Sequence, residues 1–183
     1  MKDLSSHMMD IVQNSIRAEA SWIQIRICED PEADLFLIEI QDNGCGMDEA
    51  TLARVRDPFF TSRTVRKVGL GIPLLQQNAE RTGGKVSIVS QPGQGTTLTA
   101  RFGHSHLDRP PLGDVAETLT LLAAANPAIH FSYDHSTPSG TYRFDTQEII
   151  QVLEGVPLGH PEILPAIQNF CLLYTSPSPR DTR

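Results

Sequence analysis

The amino-acid sequence predicts an α+β fold, a two-layer sandwich in which one mixed sheet is covered on one face by helices, with a small C-terminal α/β appendage. Three observations predict it. Two pairs of alternating, β-branched segments are each joined by a short polar or glycine-rich turn, as in hairpins. Amphipathic helical segments precede and separate these pairs. Adjacent prolines at 110 and 111 then divide this part from further helix and hairpin patterns.

The first elements follow from residue spacing. Apolar residues recur every three or four positions over residues 3–19, which predicts an amphipathic helix. Residues 22–28 and 35–41 alternate apolar and polar side chains on either side of a polar turn, which predicts a hairpin. Asp48 is suited to cap a short helix that ends near Arg56.

A segment without periodicity, residues 57–68, is predicted to be a long loop. A helix over residues 69–84 follows, with a proline in its first turn and two glycines at its end. Two strands, residues 85–91 and 96–102, form the second predicted hairpin around a PGQG turn. These elements complete the sandwich.

The C-terminal part is predicted to be a small appendage that follows a proline-rich linker. Its predicted elements are a helix near 114–125, a hairpin from 128–134 and 141–145, and helices near 145–154 and 161–170. The last dozen residues lose all periodicity and resemble a translated sequencing adapter, so we interpret them as an artefact; the alternative is a Ser/Pro-rich docking tail. The predicted division is a domain over 1–103, a linker over 104–113, the appendage over 114–171 and the tail over 172–183.

Composition and charge argue against several classes of function. The formal net charge of −7 argues against general binding to nucleic acid or to anionic membranes. Three widely spaced cysteines favour neither a disulfide framework nor a zinc site. No signal-peptide pattern and no bilayer-length apolar stretch occur, so the predicted location is cytoplasmic.

One face of the first predicted helix carries three polar side chains. Asp10, Asn14 and Arg17 are spaced by four and three residues, so they share that face. The amide oxygen could ligate Mg²⁺, the acid could orient or deprotonate a nucleophile, and the cation could contact phosphate. The alternative is a solvated helix face.

Glycine-rich segments supply three further signals. Asp42 follows a strand and precedes Gly44 and Gly46, so its carboxylate could accept a hydrogen bond from an exocyclic amine while the backbone approaches a flat ring; DNG is also an ordinary turn. The GLG run at 69–71 opens a helix whose N–H groups could cradle phosphate. The run at 93–97 joins two strands and is otherwise a hairpin turn.

The order of these segments resembles one superfamily, the GHKL ATPases, which comprise histidine kinases, gyrase-like enzymes, heat-shock chaperones and mismatch-repair ATPases. The N box is matched by HMMDIVQNSIRAEA, the G1 box by DNGCGM, the F box by DPFFTS and the G2 box by VGLGIPLL. The two closing strands are matched by GGKVSIVSQPGQGTTLTARF. The resemblance covers about residues 4–102. It implies the Bergerat fold, with ATP and Mg²⁺ as cofactors.

The resemblance implies a role for each matching residue of the adenine site. Asn14 is similar to the Mg²⁺-ligating asparagine, and Asp42 to the acceptor for the adenine amine. Gly44 and Gly46 would form the floor of the adenine site, and Thr96 would hold the water network beside it.

At the phosphate end, Gly69 and Gly71 would cradle the triphosphate. Arg17 stands where kinase-type members often carry a basic phosphate contact. Residues 57–68 would form the ATP lid. The remaining contacts implied by the resemblance are Met47, Phe59, Phe60, Arg63, Arg66, Lys67 and Leu70.

Two positions depart from the family pattern. Gyrase-like and mismatch-repair members carry a glutamate as catalytic base four residues before the asparagine, and this chain carries Asp10, one methylene shorter. We predict Asp10 as the base, with a shorter reach. The lid resembles the histidine-kinase version, but Lys67 replaces an expected glycine, which predicts a stiffer hinge.

Two functions remain open from the sequence. The first is a stand-alone histidine-kinase-like protein that phosphorylates a partner or hydrolyses ATP slowly, because only thirteen residues precede Asn14 and a phosphoacceptor hairpin is not expected there. His7 is expected to be a helix-face residue near the pocket mouth rather than a phosphoacceptor, and His104 to belong to the linker. The second is a nucleotide-dependent interaction module. The appendage would choose a protein partner, and a fragment of a mismatch-repair-like protein is disfavoured by the lid.

Overall fold

The computed structural model of the protein describes residues 3–57 and 71–174, with side chains as far as residue 169. Its elements, in chain order, are α1 (Leu4–Arg17), β1 (Trp22–Asp30), β2 (Leu35–Asp42), α2 (Glu49–Arg56), α3 (Gly71–Arg81), β3 (Lys85–Gln91), β4 (Gly95–Gly103), α4 (Val115–Ala125), β5 (His130–Thr137), β6 (Gly140–Asp145), α5 (Thr146–Val152) and α6 (Leu164–Tyr174). Each predicted helix and strand within these ranges is present.

The strands form one mixed sheet in the order β3-β4-β2-β1-β5-β6. β1 and β5 are parallel, and the other neighbouring strands are antiparallel. This arrangement confirms the predicted α+β fold with a mixed sheet.

One face of the sheet is apolar and lies under the helices. Along β1, Ile23, Ile25 and Ile27 are fully buried, whereas Gln24 and Arg26, which point to the opposite face, contact polar side chains of the neighbouring strands. The alternation therefore gives one face to the core and the other to water, as expected for a sheet covered on one side. α1 and α3 pack together on the covered face.

The predicted C-terminal appendage shares this sheet. β5 pairs with the free side of β1, and β6 continues beyond it, so both strands extend the sheet of the preceding part. α4 packs against α1, which carries the predicted metal–phosphate residues. The division of the chain into domains stays a prediction. The predicted C-terminal hairpin, β5 and β6, does not form a sheet of its own.

The predicted linker packs closely against the N-terminal part. The backbone N–H groups of Leu4 and Ser5, at the start of α1, donate to the carbonyl oxygens of Pro111 and Leu112 at 2.9 and 2.8 Å. Leu112 is buried, and the Arg109 guanidinium lies 4.7 Å above the Phe36 ring. The two backbone hydrogen bonds satisfy N–H groups that a helix start leaves without intrahelical partners.

His104, the first residue of the predicted linker, has a structural contact that the sequence did not reveal. It is buried, and its Nε2 lies 3.1 Å from the carboxylate of Glu29; the Nε2 of His135 lies 2.7 Å from the other carboxylate oxygen. Tyr133 contacts the remaining ring nitrogen of His135 at 3.1 Å. Burial raises the pKa of Glu29, but the hydrogen bonds and charges of His135 and His104 outweigh it, so the pKa lies below its ordinary value.

The C-terminal helix extends beyond its predicted end. α6 runs to Tyr174 and includes residues 172–174, which sequence reasoning assigned to the tail; the apolar LLY run continues the helical pattern. The remaining predicted tail, residues 175–183, lies outside the described residues. In the part of the chain that the structure describes, no helix has the length and apolar character that crossing a bilayer requires.

Candidate functional site

A cavity of about 280 Å³ lies beside the end of β2, between α1, the loop that follows β2, and β4. Its polar lining includes Asn14, Ser15, Arg17, Asp42, Thr51 and Thr96, and its apolar lining includes Ile11, Ile40, Met47, Val55, Ile72, Ile88 and Leu98. A concave apolar space with a few convergent polar groups is typical of a small-molecule site. Six residues predicted to bind cofactor, drawn from three separate motifs, therefore lie around one space: Asn14, Arg17, Asp42, Gly46, Met47 and Thr96.

Asp42 is the buried carboxylate of this cavity. It ends β2 and is 7% exposed. Its Oδ2 accepts a hydrogen bond from the Ser15 hydroxyl at 2.6 Å, and its Oδ1 accepts one from the Gly44 N–H at 2.9 Å. Two donors fix the orientation of the carboxylate, while an ionised carboxylate offers about four acceptor positions. Asp42 can therefore accept a further donor from the cavity.

Ser15 is a residue of this site that sequence reasoning missed. It lies on the buried face of α1, and it is 27 positions from Asp42 in the chain. Its small size and its place directly after the N-box asparagine were the available signals. The hydroxyl gives the buried helix face a polar contact with the end of β2.

Thr96 lies opposite Asp42, because the two residues are register partners on β4 and β2. Its hydroxyl contacts the Ser90 hydroxyl at 2.8 Å. Ser90 also accepts a hydrogen bond from the Met47 N–H at 2.8 Å. Ser90, a second residue missed from the sequence, thus ties the loop after β2 to the β3–β4 hairpin.

The glycines of the loop permit close backbone approaches. A Cβ at Gly44 would lie 2.7 Å from the carbonyl oxygen of Ala18, at the end of α1. Gly46 has φ of +69°, and a Cβ there would lie 1.9 Å from the carbonyl oxygen of Gln91. The Cys45 N–H donates to the carbonyl oxygen of Ala18 at 2.8 Å. Any larger residue at either glycine would push the loop away from α1 or from the hairpin.

The polar face of α1 meets the start of α3. The Asn14 amide oxygen accepts a hydrogen bond from the Arg17 guanidinium at 3.3 Å, and both residues line the cavity. Asp10 is one turn earlier and is not among the lining residues. A Cβ at Gly71 would lie 2.9 Å from the Asp10 Cβ, so the glycine that opens α3 allows the acid to lie against the helix start.

Several predicted site residues lie outside the described residues: Phe59, Phe60, Arg63, Arg66, Lys67, Gly69 and Leu70. Their roles stay predictions. His7 is described, and it differs from the expectation of a residue at the pocket mouth. It is buried between α1 and α3, where its Nε2 lies 3.0 Å from the side-chain nitrogen of Asn78.

The side chains of the site can be compared with what Mg²⁺ requires. No group of three or more His, Cys, Asp or Glu side chains within the described ranges is arranged to hold a metal ion. Mg²⁺ commonly uses only one or two protein oxygen ligands and takes the others from phosphates and water. The Asn14 amide oxygen beside the cavity fits that mode of binding, in which the nucleotide supplies the other ligands.

Comparisons with known proteins identify the relatives of this chain. The family model described as "Histidine kinase-, DNA gyrase B-, and HSP90-like ATPase" matches residues 2–106. Among curated proteins, the sensor protein kinase FleS of Pseudomonas aeruginosa is 36% identical over 92 residues, which are 50% of this chain and 23% of that protein. The histidine-protein kinase AtoS of Escherichia coli is 34% identical over 97 residues, 52% of this chain and 16% of that protein. The chain thus corresponds to a minor part of these relatives.

Two solved structures share the fold. The ATPase domain of Aquifex aeolicus MutL, complexed with ADP, has a TM-score of 0.54 and 15% sequence identity, and the match covers 84% of this chain and 70% of that one. The N-terminal domain of a DNA repair protein has a TM-score of 0.54 and 22% identity, covering 79% and 52%. At these identities the likeness concerns the fold.

Proposed function

The chain belongs to the family of histidine kinase-, DNA gyrase B- and HSP90-like ATPases, and on this premise we propose that it binds ATP with Mg²⁺ and either transfers the γ-phosphate to a partner protein or hydrolyses ATP slowly. The observation that carries the proposal is the orientation of Asp42. Its carboxylate is held by Ser15 and Gly44 at the wall of the cavity, and it can still accept a hydrogen bond from a ligand bound there.

The adenine would lie against the apolar wall of the cavity. Its exocyclic amine would donate to Asp42, and the hydroxyl of Thr96 would hold water beside it. An ionised carboxylate can only accept hydrogen bonds, so it attracts an amine donor and repels a carbonyl oxygen. The proposed site therefore discriminates ATP from GTP, whose purine carries a carbonyl oxygen at the corresponding position.

The phosphates would lie toward the start of α3, because the first N–H groups of a helix have no intrahelical partner and, with the positive end of the helix dipole, favour anions. Asn14 would ligate Mg²⁺, and Arg17 would contact phosphate oxygens. When bound, Mg²⁺ neutralises phosphate charge and supports in-line transfer. The two residues are already joined by a hydrogen bond, so they would meet the nucleotide as a pair.

Asp10 would act as the base that orients or deprotonates the nucleophile. Its place against Gly71 brings an acid close to the start of α3. We expect Asp10→Asn to abolish turnover while ATP affinity remains within about twofold, because Asp10 does not line the adenine cavity. Steady-state hydrolysis and nucleotide titration of the same variant measure the two quantities. Full turnover by Asp10→Asn would rule out the role assigned to Asp10.

A second candidate function is a nucleotide-dependent interaction module with little or no catalysis. The observation that favours it is the position of Asp10, which is one methylene shorter than the family's glutamate and packs against a helix start rather than lining the cavity. ATP would then order the lid and recruit a partner. Single-turnover assays with labelled ATP separate the two candidates, because only the first consumes the nucleotide.

Thermal unfolding with ATP, ADP and GTP, each with and without Mg²⁺, tests the proposal directly. A ligand that binds the folded state raises the melting temperature by mass action. We expect ATP and ADP to stabilise the protein more than GTP, and Mg²⁺ to increase the effect of ATP. Equal stabilisation by GTP would contradict the adenine role of Asp42. The choice of a protein partner by the C-terminal part and the cytoplasmic location both stay predictions.

A further inference from the structure

An apolar groove lies on the C-terminal part, far along the chain from the nucleotide cavity. It has a volume of about 320 Å³ and lies between α5 and the start of α6. Its apolar lining is Ile149, Val152, Leu153, Ile163, Ala166 and Ile167. Of these, Val152 is 80% exposed, which is unusual for a β-branched residue that borders an apolar groove.

Further exposed apolar side chains surround this groove. Ile150 and Val156 are 40% and 41% exposed, so three large apolar residues exposed to water fall within seven consecutive positions. Single exposed apolar residues need no explanation, but a cluster beside a groove is typical of a surface that binds another protein. We call the surface formed by α5, the following turn and the start of α6 the α5–α6 groove.

The charge around the α5–α6 groove has one sign. Residues 144–174 contain four acidic side chains and no lysine or arginine. Asp145 contacts His130 and caps α5, whereas Glu148, Glu154 and Glu162 are exposed. Glu148 borders the groove, and the other two are next in sequence to residues that line it. Within the described residues, these three carboxylates form no ion pair.

We propose that the α5–α6 groove docks a partner segment that presents one or two large apolar side chains flanked by lysine or arginine. The apolar anchors would fill the groove, and the basic flanks would meet the three glutamates. Complementary charge at a rim raises the association rate and excludes acidic competitors. The inference extends the protein partner of the proposed function, but the groove is separate from the nucleotide cavity and its binding requires no ATP.

The test uses the full chain and a fluorescein-labelled model peptide with leucines at helical spacing and lysines between them. Fluorescence anisotropy should show binding that weakens as salt is added. A peptide in which glutamate replaces every lysine should bind at least about tenfold more weakly, because it places like charges together. Equal binding of the acidic peptide would overturn the proposal.

Variants of the groove locate the binding. We expect Val152→Ser and Glu148→Lys each to weaken binding of the basic peptide about fivefold or more. The first variant loses an apolar contact of the groove, and the second loses a rim charge and places a like charge beside the peptide. Val89→Ser on β3 and Glu32→Lys in the β1–β2 turn are matched controls, since both residues are exposed and remote from the groove. Equal losses in the controls would overturn the assignment to this surface.

Two outcomes would assign the groove to a different occupant and so overturn the proposal. One is self-association in sedimentation experiments that Val152→Ser abolishes, which would identify a second copy. The other is peptide binding about tenfold tighter in a chain ending at Tyr174, which would identify the chain's own C-terminus as a competitor. ATP-dependent thermal stabilisation is measured on every variant, so that failure of peptide binding and failure of nucleotide binding are separate results.

Discussion

The covered face of the sheet buries two carboxylates, and they lie at opposite ends of the same pair of strands. Asp42 ends β2 opposite Ile23, and Glu29 lies near the end of β1 opposite Phe36. Both are less than a tenth exposed, and both accept two hydrogen bonds. The difference is in what surrounds them. Asp42 borders a cavity, whereas Glu29 is enclosed by the imidazoles of His104 and His135.

This difference separates a site from a structural contact. Burial and hydrogen bonding alone do not distinguish the two acids, because each has a satisfied carboxylate. The donors differ in size: a hydroxyl and a backbone N–H hold Asp42, while two imidazole rings contact Glu29. Replacing each acid should therefore affect a different property, binding at one end and stability at the other.

The largest expected effect follows from Glu29→Leu. His104 and His135 would lose a shared acceptor in the interior, which should lower the free energy of unfolding by about 3–5 kcal/mol, the usual loss for one partner of a buried pair. Urea unfolding measures it. The folded variant should keep its ATP affinity within about twofold, since the two ends are independent. An equal loss of ATP affinity would show that they are coupled.

At the other end, Asp42→Asn should weaken ATP binding by about 2–3 kcal/mol, or about 30- to 150-fold, because an amide cannot replace the charged acceptor. Calorimetric titration measures the dissociation constant. Asp134→Asn, on the polar face of the sheet, removes the same charge as a control. If both substitutions weakened binding equally, net charge rather than the cavity would explain the effect.

Ser15→Ala should have a smaller effect of about 1 kcal/mol on ATP binding, the usual contribution of one hydrogen bond. The carboxylate of Asp42 would keep its charge and its Gly44 contact but lose one of its two fixed donors. The ratio of ATP to GTP affinity should fall with it, since orientation of the acceptor gives the preference. Ser87→Ala, at an exposed position of β3, is the control. An unchanged ratio of ATP to GTP affinity would show that Ser15 does not orient Asp42 for nucleotide binding.

The smallest effect concerns acid stability. Because the pKa of Glu29 is lower in the folded state than its ordinary value of 4.5, its contribution is fully present above that pH and is lost as pH falls through the folded-state value. We therefore expect the difference in unfolding free energy between the natural chain and Glu29→Gln to shrink below pH 4.5. A difference that stays constant on acidification would contradict the lowered pKa.

Sequence reasoning predicted the order of helices and strands and singled out six of the residues that line the cavity, because both depend on local spacing and on short motifs. The contacts between distant segments were not predictable in this way. Glu29 meets residues 75 and 106 positions later, on elements whose pairing no local pattern reveals. The parallel pairing of β1 with β5 is of the same kind, and it places the strands of the predicted appendage in the same sheet as the preceding strands.

The pairing of β1 with β5 also affects how the protein is made. Trp22 begins β1, and its partner on β5, His130, is synthesised 108 positions later, so β1 cannot pair with β5 before then. At ordinary rates of synthesis, about 5–20 residues per second, the ribosome needs roughly 5–20 s to supply it. During that interval the side of β1 that later pairs with β5 is an open edge, of the kind that can pair with another chain. The time of synthesis therefore sets a lower limit on how long this edge stays open.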